Sequence, residues 1–365
     1  MRRLLCVLAV LLALTFVCVS ASAEEPTGSM ELQYAENFSV DYYAGGAARL
    51  RIQDQDFLVL PAGAPVPEGL EKLPRIAIPV KDFYLASSSV PDLFLQMDAL
   101  DSLRFTSTDA PSWRIPELRA AVEDEEILYI GKYSAPDYEA LLTEGCGLAV
   151  ENTMILHNPA TKEKLEALGI PVLIEYSSYE PHPLGRVEWI RLYGLLGGKQ
   201  AEADAFFDCQ AGTFQSVEGV APLHKTVAFF HITANGGVVV RRANDYITRM
   251  IELAGAENAV TDLPPSDSAL STVTIQMESF YAEARDADVL IYNSTVAGDV
   301  TDMDSFLSQY PLLGDFKAVK EGNVWCTEMS MFQRSSAAAG VIADFRAAVS
   351  GAADGQETRY LHRMK

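Results

Sequence analysis

Short apolar strands alternate with helices in two blocks of this sequence, and this pattern constrains the fold most. In residues 75–185 the candidate buried strands are Arg75–Val80, Ile127–Ile130, Leu148–Val150 and Pro171–Glu175. The candidate helices between them are Val90–Leu100, Asp137–Thr143 and Thr161–Leu168. We expect Thr161 to be the N-cap and Gly169 the C-cap of the third helix. A βαβ succession predicts a mostly parallel sheet with helices on its faces.

The alternation resumes in residues 219–350. The candidate strands there are Thr226–Ile232, Val238–Val240, Val289–Tyr292 and Val324–Cys326. The candidate helices are Asp245–Leu253, Met277–Ala284 and Ser335–Val349. Between the two blocks, residues 186–218 hold two helical stretches, Val187–Leu196 and Lys199–Ser216, and no strand pattern. We therefore predict an α/β protein of two Rossmann-like lobes with mostly parallel sheets, joined by a long connecting helix.

Residues 24–74 form an N-terminal extension with short strands. Arg49–Ile52 alternates polar and apolar residues, Phe57–Leu60 is apolar throughout, and Asp54 to Asp56 lie between them. These segments predict a hairpin. The proline-rich stretch over residues 61–74 marks the boundary with the first lobe. Residues 351–365 are interpreted as a tail.

The first 23 residues have the pattern of a secretory signal peptide. Arg2 and Arg3 precede the apolar run Leu4–Val19, and the small residues 21–23 precede Glu24. We therefore expect an extracytoplasmic protein, in the periplasm or at the cell surface. An uncleaved anchor is an alternative, although the run is short for a membrane span. Lipidation of Cys18 is another, although Val17 is larger than the residue usually found before a lipidated cysteine.

Composition and charge exclude several classes of protein. Hydrophobic residues make up 49% of the chain, and its net charge of -22 becomes -24 without Arg2 and Arg3. A chain this acidic repels nucleic acid, so we expect no nucleic-acid partner. Beyond residue 23, the three cysteines 146, 209 and 326 provide neither a disulfide framework nor the CxxC pairs of a zinc site. The five histidines show no HxH or HExxH pairing, so we expect no metal held by the protein itself.

A faint internal repeat relates the two blocks. Glu139 and Glu278 each lie early in a helix, and each is followed by a buried strand that closes on an asparagine, Asn152 or Asn293. At these residues the chain resembles the substrate-binding proteins of ABC importers for ferric siderophores, cobalamin or haem. The similar stretches, which together span roughly residues 75–350, are Tyr129–Asn152, Glu175–Gly198, Ile251–Ala259, Met277–Asn293 and Ala318–Cys326.

The resemblance implies a ligand cleft between the lobes and a metal chelate as ligand, with no intrinsic cofactor. It also implies that Glu139 and Glu278 dock against arginines of the importer's membrane subunits, one from each lobe. Two separated carboxylates would set the orientation of docking. The alternative is that each glutamate simply stabilises the positive end of its helix. We expect a monomer.

Ligand-binding candidates are aromatic and polar residues in or after the predicted strands, because a large chelate offers flat faces and a charged rim. They are Tyr84, Trp113, Tyr133, Ser178, Tyr179, His182, His231, Met329, Phe332 and Arg334. Arg334 is suited to bidentate contact with carboxylates of a siderophore or corrinoid. If the ligand were haem, His182 or Tyr179 would be the candidate axial ligand.

Catalytic motifs are missing from the sequence. It contains no GxSxG, no GxxxxGK[ST] and no GxGxxG after a strand. We therefore expect a binding protein for an iron–siderophore or corrinoid-type chelate and not an enzyme. A haem-binding or surface sensor protein on the same fold, or a secreted chelatase-like enzyme, are the alternatives.

Overall fold

The computed structural model describes residues 24–215, 219, 221–243, 245–263, 272–298, 300, 302–351 and 358–365. The predicted signal peptide, with Cys18, lies outside these residues. Within them, no helix has both the length and the apolar character that crossing a membrane requires.

The N-terminal extension forms a sheet of its own. Its strands are β1 (Gly28–Ser29), β2 (Phe38–Tyr42), β3 (Ala48–Ile52), β4 (Gln55–Pro61) and β5 (Arg75–Ile78). The predicted hairpin is present as β3 and β4, which pair antiparallel. The prediction that Arg75–Val80 begins the first lobe is wrong, because β5 pairs with β4. Arg75 and Ala77 are exposed while Ile76 is buried, a half-buried pattern that suits the edge of this sheet.

The N-terminal lobe follows as a parallel α/β unit. Its elements are β6 (Phe83–Leu85), α1 (Pro91–Gln96), β7 (Leu103–Thr106), α2 (Pro116–Glu123), β8 (Leu128–Tyr129), α3 (Tyr138–Thr143), β9 (Leu148–Glu151), α4 (Pro159–Ala167) and β10 (Val172–Ile174). All pairs are parallel, in the order β10-β9-β6-β7-β8. The predicted parallel sheet is confirmed.

Of the two predicted caps of α4, Gly169 is confirmed and Thr161 is wrong. Gly169 has φ +82°, the left-handed conformation expected after a helix end. Thr161 is not the N-cap, since the helix begins two residues earlier at Pro159. Proline suits the first helical position because its missing N–H would have no partner there. The Thr161 hydroxyl instead donates to the Ser134 carbonyl at 2.8 Å.

The connecting segment is a helical hairpin and not one long broken helix, which corrects the prediction. Helix α5 (Pro183–Gly197) ends at Gly198, which has φ +74°, and α6 (Gln200–Gln215) then doubles back along it. Arg191 on α5 therefore reaches Asp204 and Asp208 on α6, at 3.0 and 3.1 Å. Gly194 permits close packing, because a Cβ there would lie 2.5 Å from that of Ala203.

The C-terminal lobe has a mixed sheet. Its elements are β11 (Thr226–Ile232), β12 (Val238–Arg241), α7 (Tyr246–Leu253), β13 (Glu257–Asn258), β14 (Thr272–Ile275), α8 (Met277–Ala284), β15 (Val289–Tyr292), α9 (Ser294–Ala297), α10 (Met303–Gln309), α11 (Lys317–Lys320), β16 (Val324–Thr327), α12 (Ala338–Ser350) and β17 (Leu361–Arg363). The order is β14-β12-β11-β15-β16-β17, with β13 beside β11. Part of the predicted tail is therefore an edge strand, since β17 pairs with β16.

The lobes share one core and several polar contacts. A continuous cluster of buried side chains runs from Phe83 in β6 through α5 and α6 to Phe345 in α12. The Gln333 side chain bridges the lobes, accepting from the Arg114 N–H at 2.7 Å and donating to the Ser112 carbonyl at 2.9 Å. These contacts favour a stiff pair of lobes with little hinge closure.

Two buried carboxylates hold the chain between β1 and β2. Glu188 on α5 accepts hydrogen bonds from the backbone N–H groups of residues 33, 34 and 35, each at 2.8 Å. Glu180 accepts those of residues 36 and 37 and the Trp189 indole N–H. Burial raises the pKa of Glu180. The extension is therefore bound to α5 and the segment just before it through five main-chain donors.

Candidate ligand-binding site

A pocket lies between the start of helix α5 and the C-terminal lobe. Its cavity volume is about 20 Å³, and the empty space around it is about 350 Å³ when the part open to solvent is counted. The start of α5 supplies Pro183 and Arg186, and α7 supplies Tyr246, Ile247 and Met250. The segment after β16 supplies Met331, Phe332, Arg334 and Ser335, and α12 completes the wall with Ala338 and Val341. Ligands of open α/β sheets bind beyond the carboxyl ends of the strands, where α5 and the segment after β16 begin.

Guanidinium groups and aromatic rings alternate from the wall of this pocket to Arg241, which does not itself line it. The Arg186 guanidinium lies 4.0 Å from the centre of the Tyr246 ring, which lies 6.4 Å from the Phe332 ring. The Arg241 guanidinium lies 4.9 Å from the centre of the Phe332 ring. Such stacking holds cations beside flat apolar surfaces. A ligand with planar faces and negative charge could use both features.

The three arginines differ in their ion pairs. Arg241 lies 3.4 Å from Asp245, and Arg334 lies 3.8 Å from Asp92. Both carboxylate side chains are buried. Arg186 has no carboxylate within ion-pair distance among the described residues, and its Nε is buried there without a hydrogen-bond partner. Arg186 is thus the cation most available to an anionic ligand.

Several predicted residues lie in or near the pocket. Phe332 and Arg334 line it, and Met329 is half-buried in the same segment after β16. His231 is half-buried on β11, and burial followed by the charge of Arg241 lowers the pKa of its imidazole. Ser178 and Tyr179 are exposed on the turn after β10. Met329, His231, Ser178 and Tyr179 do not line the pocket, and they stay predictions as ligand contacts.

Three predicted aromatics are placed elsewhere by the structure. Trp113 is only 2% exposed in the shared core, and its indole N–H donates to the Thr108 carbonyl. Tyr84 is fully buried within β6, because alternate residues of a strand sandwiched by helices face one side or the other of its sheet. Tyr133 is half-buried against the apolar cluster around Tyr84. These rings fill the lobe and do not reach the pocket.

His182 is also used structurally. Its Nδ1 accepts from the Leu184 N–H at 3.1 Å and so caps α5. Its ring stacks on Tyr34 of the N-terminal extension, with centroids 4.5 Å apart. Burial, followed by the charge of Arg249, lowers the pKa of His182 to about 4. The predictions of a ligand contact and an axial haem ligand at this residue stay predictions.

Comparison with known proteins identifies the family. The model of the family described as "Periplasmic binding protein" matches residues 114–328, which is more than half of the chain. This chain belongs to the periplasmic binding protein family. A relative from Methanocaldococcus jannaschii, described as an uncharacterized lipoprotein, is 23% identical over 60% of this chain and 52% of its own length. The chain therefore spans about half the length of that relative.

Solved structures share the two-lobed α/β fold of this periplasmic binding protein. The haem-binding protein HutB of Vibrio cholerae superposes with a TM-score of 0.56 and 18% identity, over 72% of this chain and 97% of that one. The petrobactin-binding protein YclQ of Bacillus subtilis gives 0.59 and 11%, over 76% and 93%. At these identities the likeness concerns the fold alone.

The two predicted docking glutamates occupy corresponding places in the lobes of this binding protein. Glu139 lies in the first turn of α3, after the edge strand β8, and Glu278 in the first turn of α8, after the edge strand β14. Strand β14 runs in the same direction as β11, because both are antiparallel to β12. Each exposed carboxylate therefore lies at the edge of its lobe where the parallel strands end.

Sequence reasoning missed Arg186, Arg241 and Tyr246. Arg186 and Tyr246 each lie in the first turn of a helix, and Arg241 ends β12. One signal was present, since Arg241 and Arg242 follow an apolar strand in a strongly acidic chain. Nothing in the sequence relates these positions to Phe332, because they meet only when α5 and the elements of the C-terminal lobe pack together.

A buried carboxyl in the N-terminal lobe leads to a pH prediction. Both oxygens of Glu151, at the end of β9, and the hydroxyl of Tyr84 are buried without hydrogen-bond partners among the described residues. Burial raises the pKa of Glu151 to about 8 from its ordinary value of 4.5. The folded protein therefore holds a proton that the unfolded chain releases. This contribution to stability is complete below pH 4.5 and is lost as the pH rises to about 8.

We expect Glu151→Gln to raise the free energy of unfolding at pH 8.5 by about 2 kcal/mol, because the amide has no charge to bury. The gain should vanish at pH 4. Urea unfolding of both proteins at the two pH values measures it. A difference between the proteins that does not vary with pH would contradict the assignment. Glu166→Gln, on the exposed face of α4, is the control.

Proposed function

We propose that this protein captures an anionic metal chelate of the ferric-siderophore or corrinoid type outside the cytoplasm and delivers it, unchanged, to an ABC importer. The observation that carries the proposal is the pocket lined by two arginines, Arg186 and Arg334, and two aromatic rings in a chain of net charge -22. Positive charge gathered at one concave site of an acidic protein attracts an anion there. The aromatic rings would pack against the flat faces of such a ligand.

Location and partner follow from the same proposal. Family membership and a relative described as a lipoprotein support an extracytoplasmic site of action. The importer's membrane subunits are the proposed partner, and Glu139 and Glu278 are the proposed contacts. Haem is the second candidate ligand, because Tyr179 is 49% exposed on the turn after β10 and a tyrosine can ligate haem iron.

Ligand charge provides the test. Purified protein would be titrated with a ferric tris-catecholate of charge -3, an uncharged ferric tris-hydroxamate of similar size, a corrinoid and haem. Quenching of tryptophan fluorescence would report binding. We expect the tris-catecholate to bind more tightly than the uncharged tris-hydroxamate. Failure of all four to bind would refute the proposed function. A preference for haem that Tyr179→Phe abolishes would establish the second candidate.

The role of Arg186 is tested in the same assay. We expect Arg186→Gln to weaken binding of the tris-catecholate about 10- to 100-fold, because a charge-assisted contact in a partly dry pocket is lost. Binding of the uncharged chelate should change much less. Arg119→Gln removes the same charge from the exposed face of α2, where Arg119 pairs with Glu123, and should leave both affinities unchanged. Equal losses for charged and uncharged chelates would contradict this role.

A further inference from the structure

Asp92 is a buried carboxylate positioned behind the proposed ligand pocket. It lies in the first turn of α1 in the N-terminal lobe and is fully buried. Its Oδ2 accepts a hydrogen bond from the Ser336 N–H of the C-terminal lobe at 2.8 Å. Its Oδ1 lies 3.5 Å from the Gln96 amide nitrogen and 3.8 Å from an Arg334 guanidinium nitrogen. Asp92 therefore joins the lobes at the base of a pocket that it does not itself line.

Arg334 can turn toward either of two anions. Its guanidinium lines the pocket, its Nε donates to the Ser330 hydroxyl at 3.1 Å, and its outer nitrogen reaches Asp92 only at the long distance of 3.8 Å. A guanidinium makes its best contact with a carboxylate through two short parallel hydrogen bonds, a geometry not reached here. The Arg334–Asp92 ion pair is thus loose enough to be exchanged for a better one.

We propose that Asp92 is a positioning residue that competes with the anionic ligand for Arg334 and thereby sets the affinity and charge preference of the pocket. This inference rests on the proposed function, since it requires an anionic ligand. A ligand carboxylate or catecholate that contacts Arg334 must draw the guanidinium away from Asp92. The affinity of the wild-type protein for anions is therefore lower than its arginines alone would provide.

The substitution Asp92→Asn separates this role from a structural one by the sign of its effect. The asparagine oxygen can still accept from the Ser336 N–H, while the competing charge is gone. We expect the affinity for the ferric tris-catecholate to rise roughly three- to tenfold, because a competing charge pair has been removed. Affinity for the uncharged tris-hydroxamate should stay within about twofold. A merely structural Asp92 would instead weaken both when it is replaced.

A double-mutant cycle completes the test. In an Arg334→Gln background, Asp92→Asn should leave the affinity for the tris-catecholate unchanged, because no guanidinium remains to compete for. Asp288→Asn is the matched control, since Asp288 accepts from the Thr226 N–H and pairs with Lys317 away from the pocket. If Asp92→Asn does not fold, Asp92→Ser should be measured instead, and it should also raise the affinity for the ferric tris-catecholate.

The outcomes of this test are distinct from those of the proposed function. If wild-type protein binds none of the chelates, the proposed function fails. If the wild type binds the tris-catecholate and Asp92→Asn binds it equally or more weakly, the competition by Asp92 is refuted while the proposed function stands. An increase that persists in the Arg334→Gln background would also overturn the inference.

Discussion

Replacing Glu188 with alanine is expected to lower the free energy of unfolding by about 3–5 kcal/mol. The carboxylate is fully buried and accepts three backbone N–H groups of residues 33–35, each at 2.8 Å. Alanine would leave these donors buried without partners, and each buried unsatisfied donor costs about 1–3 kcal/mol. Urea unfolding followed by circular dichroism measures the loss.

The control for this prediction lies on the other helix of the hairpin. Glu202 is half-exposed and pairs with Lys199 at 3.7 Å, so Glu202→Ala should change stability by less than about 0.5 kcal/mol. Limited proteolysis should show early cleavage near residues 33–37 in Glu188→Ala and not in Glu202→Ala. A loss below about 1 kcal/mol for Glu188→Ala would show that water or other groups satisfy the freed donors.

Exchanging both Glu139 and Glu278 for lysine is expected to abolish uptake through the cognate importer. The two exposed carboxylates follow the edge strands β8 and β14, each at the edge of its lobe where the parallel strands end. Lysines there would meet the importer's proposed arginines, and like charges across an interface cost several kcal/mol. Affinity for the chelate should stay within about twofold, because neither residue lines the pocket.

A second double variant serves as the control for the change in net charge. Glu163→Lys with Glu321→Lys makes the same change in net charge at two other exposed positions, one on α4 and one after α11. Uptake of labelled chelate into cells that carry the importer should be normal for this control. Normal uptake by the Glu139 and Glu278 variant would refute docking through these residues and leave the fold and the pocket unaffected.

The sequence by itself predicted several strands and helices of both lobes and the parallel sheet of the first, but it missed β6, β7 and α2 of the N-terminal lobe and β13 and β14 of the C-terminal lobe. Strand signals at residues 148–150 and 289–292 were reliable because parallel strands covered on both faces are apolar throughout. Helix α3 was predictable because the Asp137 side chain accepts hydrogen bonds from the N–H groups of Glu139 and Ala140. This interaction involves only four consecutive residues. Such signals depend on neighbours in the chain, so they can be read without the fold.

The arrangement of the connecting segment could not be predicted from local sequence patterns. Two helical stretches separated by Gly197 and Gly198 predict helices equally well in one line or folded back. Packing decides between them here, because Arg191 reaches Asp204 and Asp208 only when α6 returns along α5. The roles of Glu188 and His182 also depend on tertiary structure, since both hold the distant N-terminal extension against α5.

The pocket was decided by tertiary structure alone. Phe332 and Arg334 could be chosen from the sequence because they follow a strand, but Arg186 and Tyr246 come from separate elements up to about 150 residues away. Trp113 and Tyr84 are aromatic, as residues of a ligand site often are. Trp113 is nevertheless buried in the core that the lobes share, and Tyr84 is buried in the sheet of the N-terminal lobe. An aromatic ring gains as much by filling a core as by facing a ligand, and only the packing of both lobes determines which it does.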